Sequence, residues 1–280
     1  MQPFLASLVI ESAFATPLRG DTLFGQLCWM IRWRQGEGRL GDLLQGYTEG
    51  RPFVAISDAF PAGLVPRPVL PPLAATDPRR RKEERRKAFL PLGSLKRPLD
   101  EALAEAVALP VAAAFEEAVQ AHNSIRRLTG TTGPGSDPFQ MPRRWPRGEV
   151  RLDLHLRLDP DRLAPDTLAE LLADIGAWGF GRDASIGLGR FRLEGFAAAP
   201  AMGAEDADAW LTLAPSAPQG GGWNLARSFW KPFVRFGRHG GDAALGAAFK
   251  SPLLLADTAA ILAPEAGVAS PAVVGKGLGG

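Results

Sequence analysis

The sequence predicts an α+β fold with a βαββαβ core. An apolar strand followed by an amphipathic helix occurs twice, over residues 4–34 and over residues 150–178, and a further strand is predicted after each helix. This order is the split β-α-β plan of ferredoxin-like and RRM-like domains. We therefore expect a core domain in residues 1–199 with a large insertion at about residues 58–148, and a smaller β-rich domain in residues 200–280.

The first half of the core begins with an apolar run at residues 4–10, which is typical of a buried strand. Either Asp21 or Thr22 can cap the next helix through a side-chain oxygen, and the helix is predicted to extend to about Arg34. The apolar face of this helix consists of Leu23, Leu27, Met30 and Ile31. A short second strand is predicted over residues 53–57.

The insertion combines segments of different character. Five prolines between residues 61 and 72 exclude a regular helix there. Residues 79–87 carry seven basic and two acidic side chains, a run that is usually solvated surface, and its role stays open. The Ala- and Glu-rich segments 99–109 and 111–121 are predicted to be helices, and the Gly- and Pro-rich segment 130–142 is predicted to be a loop.

The second half of the core opens with the clearest strand pattern in the chain. Between residues 150 and 158, valine and leucine alternate with polar residues, which predicts one buried face and one solvent face. His155 belongs to the predicted solvent face. A last strand is predicted over residues 190–196, and three short apolar strands are predicted in the C-terminal part, over residues 210–213, 227–236 and 252–255.

The charges of the chain are unevenly distributed. There are 32 basic and 30 acidic residues, a net charge of +2. Residues 121–151 contain six arginines and two acids, and residues 227–238 contain four basic residues and no acid. This distribution favours a polyanion as the ligand of a basic side of the protein.

Features of secreted and membrane proteins are not apparent. The single cysteine, Cys28, excludes an intrachain disulfide and is compatible with a reducing compartment. Residues 1–11 lack both the basic start of a signal peptide and an apolar run long enough to span a membrane. We therefore expect a cytoplasmic protein that does not engage a membrane.

A glycine-rich stretch after the second helix is the most informative motif. Four glycines fall within eleven residues, between a predicted helix and a predicted strand, whereas a dinucleotide fingerprint needs the order strand, loop, helix. Such a loop can expose N–H groups as an anion-binding concavity, so we expect it to bind a phosphodiester backbone. A helix cap followed by a tight turn would account for Gly179 and Gly181 only. The residues of the predicted site are Gly179, Gly181, Arg182, Ser185, Gly187, Gly189 and Arg190.

Candidate catalytic residues are few. None of the three histidines has a second histidine or a cysteine at metal-ligand spacing, so we expect no metal site and no cofactor. His122 is the one candidate for the general base of a metal-independent ribonuclease. The residues that follow it suit a non-catalytic clamp on phosphate and 2′-hydroxyl groups, which we favour. These clamp residues are Asn123, Ser124, Arg126 and Arg127.

Aromatic residues on predicted loops can stack on bases. Phe14, Phe180 and Trp145 are placed for this role. The alternative for Phe180 and Trp178 is to pack the end of the second helix into the core, and for Trp178 we expect that alternative.

Three segments together resemble one protein family. Residues 14–29, with the sequence Thr-Pro-Leu-Arg-Gly-Asp-Thr, residues 123–133, and the glycine-rich residues 179–191 resemble, in this order, the RAMP superfamily of CRISPR proteins. Within it the chain is most similar to the subunit of type III-A (Csm) effector complexes that holds the 5′ handle of the crRNA. The C-terminal part resembles the family only loosely.

The resemblance implies a non-catalytic subunit without a cofactor. Its partners would be the crRNA, the nearby guide–target duplex, a large polymerase-like signalling subunit and a backbone RAMP subunit. The glycine-rich loop would hold the handle through Arg182, Ser185 and Arg190, and Arg19 would face the same RNA. Residues 122–148 would form a thumb-like segment. The arginines that this segment brings to the RNA would be Arg126, Arg127, Arg143 and Arg144, and Arg67 is a further candidate.

Two other functions stay open on the sequence alone. The chain could be a RAMP endoribonuclease that processes precursor crRNA, which would need His122 or another general base. The absence of a histidine before residue 122 speaks against this alternative. The chain could also be the RAMP subunit at the 3′ end of the same complex, which would bind RNA similarly without engaging the signalling subunit.

Overall fold

A computed structural model of the chain describes residues 1–71, 82–84, 86–110, 114–133, 137–218, 222–241, 243–246, 249–268, 273–275 and 277. It is a mixed structure of helices and several antiparallel sheets, so the predicted α+β class is confirmed. Within the described ranges, no helix combines the length and the apolar character needed to cross a membrane.

The central sheet contains four main strands. These are β1 (Gln2–Ile10), β2 (Val54–Ile56), β9 (Arg151–Leu158) and β10 (Phe191–Ala198), in the order β10-β1-β9-β2 with every neighbouring pair antiparallel. The short strand β3 (Phe60–Pro61) also pairs with β9. All four predicted core strands are therefore confirmed.

Helices cover one face of this sheet. They are α1 (Gly20–Gln35), α2 (Glu37–Leu44) and α4 (Pro165–Trp178), and their apolar faces join the leucines of the strands in one core. Full burial of each large apolar side chain stabilises the fold by roughly 1.5–3 kcal/mol. The helix α4 packs closely against β10 at Gly176. A Cβ at this position would lie only 2.1 Å from the Phe191 carbonyl oxygen, so no larger residue fits there.

The predicted solvent face of β9 is buried at Asp153 and His155, whereas Arg151 on the same face is exposed. His155 is only 7% exposed, and burial lowers its pKa. The backbone N–H of His155 donates to Ser57 Oγ at 2.9 Å, and Asp153 on the same strand accepts a hydrogen bond from the Ser7 hydroxyl at 2.9 Å. The expectation that His155 faces solvent is wrong. Asp153 on the same face has hydrogen-bond partners within the protein, whereas the imidazole Nε2 of His155 is buried without one among the described residues.

The insertion forms two small sheets. The strands β4 (Leu64–Pro66), β5 (Lys87–Pro91) and β6 (Val107–Ala108) form one sheet, next to the helix α3 (Leu99–Ala104). Of the basic run 79–87, residues 79–81 and 85 lie outside the described residues. Lys87 opens β5, where its amino group and the Arg67 guanidinium both approach Glu84, at 2.6 and 3.3 Å.

A hairpin replaces the second helix predicted in the insertion. The strand β7 (Phe115–His122) pairs with β8 (Phe139–Pro146) at eight successive positions. The prediction of a helix over residues 111–121 is therefore wrong for the described residues 114–121. Local helix propensity is overridden by cross-strand pairs, among them Glu117 opposite Arg144 and His122 opposite Phe139.

The C-terminal part consists of short strand pairs. The strands β11 (Trp210–Leu211) and β14 (Ile261–Leu262) form one pair, and β12 (Pro232–Arg235) and β13 (Leu253–Ala256) form another, with a helical turn α5 (Ala243–Gly246) between the last two. Strands lie within or across each of the three predicted segments, and β14 is an additional one.

Candidate nucleic-acid interface

The glycine-rich loop joins α4 to β10, and its four glycines all have positive φ, from 74° to 100°. At Gly189 the requirement for glycine is steric as well, because a Cβ would lie 2.1 Å from the Phe180 carbonyl oxygen. At Gly187 a Cβ would meet open space, so only the backbone conformation favours glycine there. The loop thus folds tightly over the end of α4.

The backbone N–H groups of the loop bind mainly to the protein itself. Gly189 N–H donates to the Ala13 carbonyl at 2.8 Å, Arg182 N–H to Thr16 Oγ1 at 3.0 Å, and Arg190 N–H to Ser12 Oγ at 2.8 Å. These donors fasten the loop to the segment 11–19 and are not free for a ligand. The expected N–H concavity is therefore not formed at these positions, and the positive charge of the loop resides on side chains.

Three predicted ligand-binding side chains of the loop are exposed, namely Arg182, Ser185 and Arg190. The guanidinium of Arg182 lies 3.9 Å from the carboxylate of Asp183, which itself has a positive φ of 66°. The side-chain arrangement suits contact with a polyanion.

Arg143 lies beneath the loop, not on the surface. Its side chain is 7% exposed, and its guanidinium is 3.9 Å from the Asp183 carboxylate. Within the described part of the chain, Arg143 Nε and Nη2 have no hydrogen-bond partner. Arg143, which the resemblance assigns to RNA contact, is thus buried, and it connects β8 to the glycine-rich loop.

The other predicted RNA-binding residues between 122 and 148 lie on the β7–β8 hairpin. Asn123, Arg126 and Arg127 are exposed where the two strands are connected. Arg144 is half exposed near the base, 3.6 Å from Glu117, with its guanidinium 5.5 Å from the Phe115 ring centre. The hairpin is joined to the segment 11–19 by reciprocal backbone hydrogen bonds between Phe14 and Arg144, both 2.9 Å long.

Arg19 has partners in the C-terminal part. Its guanidinium is 2.9 Å from the Asp257 carboxylate and 4.5 Å from the Phe233 ring centre. A role in RNA binding would require this side chain to serve both the ion pair and the ligand.

The cap of α1 is supplied by a residue that the sequence analysis missed. Asp58 Oδ1 accepts the Gly20 N–H at 2.8 Å, and Asp58 Oδ2 accepts the Thr258 hydroxyl at 2.6 Å. Burial is the main cause that raises the pKa of Asp58 to about 6. The predicted caps are wrong, since no side chain at the N-cap position bonds to α1, and Asp21 pairs with Arg235 at 2.7 Å. The position of Asp58 directly after a strand was the one available signal.

The aromatic side chains differ from the expectation in three cases. Phe14 and Phe180 are buried in the core, so neither ring is presented on an exposed loop as the sequence predicts. Trp178 is 62% exposed and stacks on Trp33 with ring centres 5.6 Å apart, so its predicted core position is wrong. Trp145 is exposed on β8, as predicted.

His122 lies at the end of β7 and stacks on Phe139, with ring centres 5.4 Å apart and planes inclined by 13°. Among the described residues, no three His, Cys, Asp or Glu side chains are grouped so as to hold a metal ion.

Solved structures with this fold contain subunits of type III-A complexes. A chain of the crystal structure of a Csm1-Csm4 cassette with pppApA matches at a TM-score of 0.59 and 17% identity, covering 98% of this chain and 95% of that chain. The cassette with AMPPNP gives a TM-score of 0.58 at 18% identity, covering 99% of both chains. A chain of the Csm3-Csm4 subcomplex in the type III-A CRISPR-Cas interference complex gives 0.59 at 10% identity, covering 93% and 92%.

The chain has a Csm4-like fold. The resemblance deduced from the sequence motifs is thereby confirmed at the level of the fold. The Csm4-like match extends over nearly the whole chain, including the C-terminal part where the motifs were weak. No protein-family model matches the sequence, and no curated protein matches it.

Proposed function

We propose that this chain is a non-catalytic, RNA-binding RAMP subunit of a type III CRISPR effector complex in the cytoplasm, where it holds the 5′ handle of the crRNA for antiviral defence. The observation that carries the proposal is the near-full-length likeness to chains of Csm1-Csm4 and Csm3-Csm4 assemblies. The strand order β10-β1-β9-β2 supports a ferredoxin-like βαββαβ core, as in RRM-like domains.

The proposed partners follow from the same likeness. The solved assemblies pair the similar chain with Csm1 in one case and with Csm3 in the other. For this chain we infer a large polymerase-like signalling subunit and a backbone RAMP subunit as the corresponding partners. A RAMP subunit at the 3′ end of the complex would not engage the first of these partners.

The RNA is proposed to run between the glycine-rich loop and the hairpin. Arg182, Ser185 and Arg190 line one side, and the hairpin supplies the other. The hairpin residues are Asn123, Arg126, Arg127 and Arg144. The two sides are held together by the Arg143–Asp183 pair and by the Phe14–Arg144 backbone bonds. Phosphate contacts by such arginines give affinity without reading sequence.

The test is to purify the tagged chain from its native host, sequence the bound RNA and identify bound proteins by mass spectrometry. We expect crRNAs with a uniform 5′ handle together with a large polymerase-like subunit. Free precursor repeats with fresh cleavage ends and no partners would show a processing nuclease instead. Recovery of crRNA with a backbone subunit but without the large subunit would favour the 3′-end position.

A variant of His122 distinguishes a non-catalytic subunit from a processing nuclease. In His122→Gln the stacking position keeps a planar polar side chain but loses the general base. We expect the variant to copurify with the same crRNA at the same yield. Accumulation of uncut precursor in cells that carry only His122→Gln would contradict a non-catalytic role.

A further inference from the structure

A cleft of about 280 Å³ lies where the segment before α1, the strand β3, the insertion sheet and the base of the hairpin meet. Four phenylalanines line it, namely Phe14, Phe60, Phe89 and Phe115. Phe14 and Phe60 are buried, whereas Phe89 and Phe115 are half-buried. Phe14 and Phe60 therefore form the buried floor of the cleft, and Phe89 and Phe115 form its walls near the solvent.

An arginine stands at the rim of this cleft. Arg144 lines it from β8, with its guanidinium 5.5 Å from the Phe115 ring centre and its side chain about half exposed. The paired backbone groups of Phe14 and Arg144 hold the rim against the buried wall. Aromatic walls beside a cation match a nucleotide, which has a flat base and a negative phosphate.

We propose that the cleft binds one unpaired nucleobase of the RNA, stacked against the half-buried rings of Phe89 and Phe115, with an adjoining phosphate beside Arg144. The inference rests on the proposed function and deepens it, since Arg144 also belongs to the proposed RNA path. Pockets for drug-sized ligands measure roughly 300–1,000 Å³, so this cleft takes a single ring system and not a stack of bases or a duplex.

The cleft selects for the presence of a base and not for its identity. Asp58 also lines it, but both carboxylate oxygens already accept hydrogen bonds, from the Gly20 N–H and the Thr258 hydroxyl. Stacking on aromatic rings tolerates every base because each has a π face. Exchange of the base in the cleft should therefore change affinity less than its removal does.

The experiment measures binding of the full-length chain to a synthetic single-stranded RNA with the repeat-derived 5′ end of a crRNA. A set of matched RNAs carries one abasic nucleotide at each position in turn. We expect one position at which base removal weakens binding at least about fivefold. Leu109→Trp, which places a larger ring at the lining of the cleft, should weaken intact RNA similarly and leave the slope of log affinity against log salt unchanged.

The decisive quantity is the coupling free energy between a substitution in the cleft and the removal of a base from the RNA. In Leu109→Trp, and independently in Phe89→Ala, the abasic substitution at the sensitive position should cost nothing further, because the stacking is already lost. Leu225→Trp, an exposed leucine outside the cleft, is the matched control and should bind every RNA like the unaltered chain.

Three outcomes overturn the inference. Tight binding of intact RNA with no sensitive position, or with fully additive losses, leaves the RNA-binding function standing and removes the base from the cleft. Loss of partner copurification in Leu109→Trp with normal RNA binding assigns the cleft to a partner side chain. Failure of the unaltered chain and of its purified complex to bind any of the RNAs refutes the proposed function and the cleft together.

Discussion

At the start of α1, a single carboxyl group ties three distant parts of the chain together. Asp58 accepts hydrogen bonds from Gly20 and Thr258, and its pKa is raised from an ordinary value near 3.8 to about 6 because burial disfavours the charged form. A raised carboxyl pKa means that the folded state holds the proton more tightly than the unfolded chain. The stability due to this proton is present below about pH 4 and is lost as the pH rises through about 6.

Asp58→Asn should flatten this dependence. The amide keeps an oxygen acceptor for the Gly20 N–H but has no charge to bury. From pH 4 to pH 7 the free energy of unfolding of the unaltered chain should fall relative to that of the variant by an amount on the order of 2 kcal/mol. Urea titrations at a series of pH values measure it, with the exposed Asp161→Asn as control. Parallel pH profiles for the unaltered chain and Asp58→Asn would contradict the assignment.

Sequence reasoning reached some of these residues and not others, for physical reasons. The four glycines of the loop were predictable because a backbone with positive φ favours glycine, and all four have positive φ. The hydrogen bonds of the loop N–H groups of Arg182, Gly189 and Arg190 were not predictable, because their acceptors on Thr16, Ala13 and Ser12 are more than 160 residues away along the chain. Trp178 was expected in the core and is exposed, whereas Phe180 was expected on a loop surface and is buried. Positions that are two residues apart at a helix end face opposite sides, so a small error in where the helix ends reverses which of them faces the core.

Among the elements, the hairpin departs furthest from local propensity. The segment 114–121 is rich in Ala and Glu, yet it forms a strand because β8 offers a matching partner and Phe115 packs against the core. The hairpin meets the glycine-rich loop through Arg143 and Asp183, both largely buried. A buried charge without its partner is costly, so this pair fixes how the two elements sit relative to each other.

Arg143→Met should loosen the hairpin. The variant keeps the volume of the side-chain stem but leaves the Asp183 carboxylate with only the more exposed Arg182 beside it. We expect the free energy of unfolding to fall by about 1–2 kcal/mol, because the two groups attract each other at 3.9 Å without a hydrogen bond, with faster amide hydrogen exchange in β7 and β8 near Arg143. Arg147→Met removes an exposed arginine whose nearest acid is Glu116 at 3.6 Å, and should change stability by less than about 0.5 kcal/mol. Equal effects of the two changes would show that the buried pair does not hold the hairpin.

At the scale of the whole molecule, the order of elements was predictable, whereas the path of the insertion was not. The core strands were found because apolar periodicity survives at 10–18% identity to chains of the same fold. The insertion contacts β9 through β3 and contacts the C-terminal part through the Asp58–Thr258 hydrogen bond. No local sequence pattern encodes these long-range contacts. Contacts of the same kind bring Asp257 and Arg235 to the start of α1, where they pair with Arg19 and Asp21.

The exposed arginines of the glycine-rich loop contribute to the electrostatics of the proposed RNA path. Replacement of both Arg182 and Arg190 by Ala removes two exposed cations of the loop without touching the backbone bonds that shape it. If each contacts one phosphate, the slope of log affinity against log salt for the single-stranded handle should become shallower by about 1.4, at roughly 0.7 per contact. Arg227→Ala removes an exposed arginine of the C-terminal part that pairs with Asp208, and should leave the slope as it is. An unchanged slope in the double variant would place the RNA away from the glycine-rich loop, whereas an equal change in both would mean that net charge alone, and not the loop, attracts the RNA.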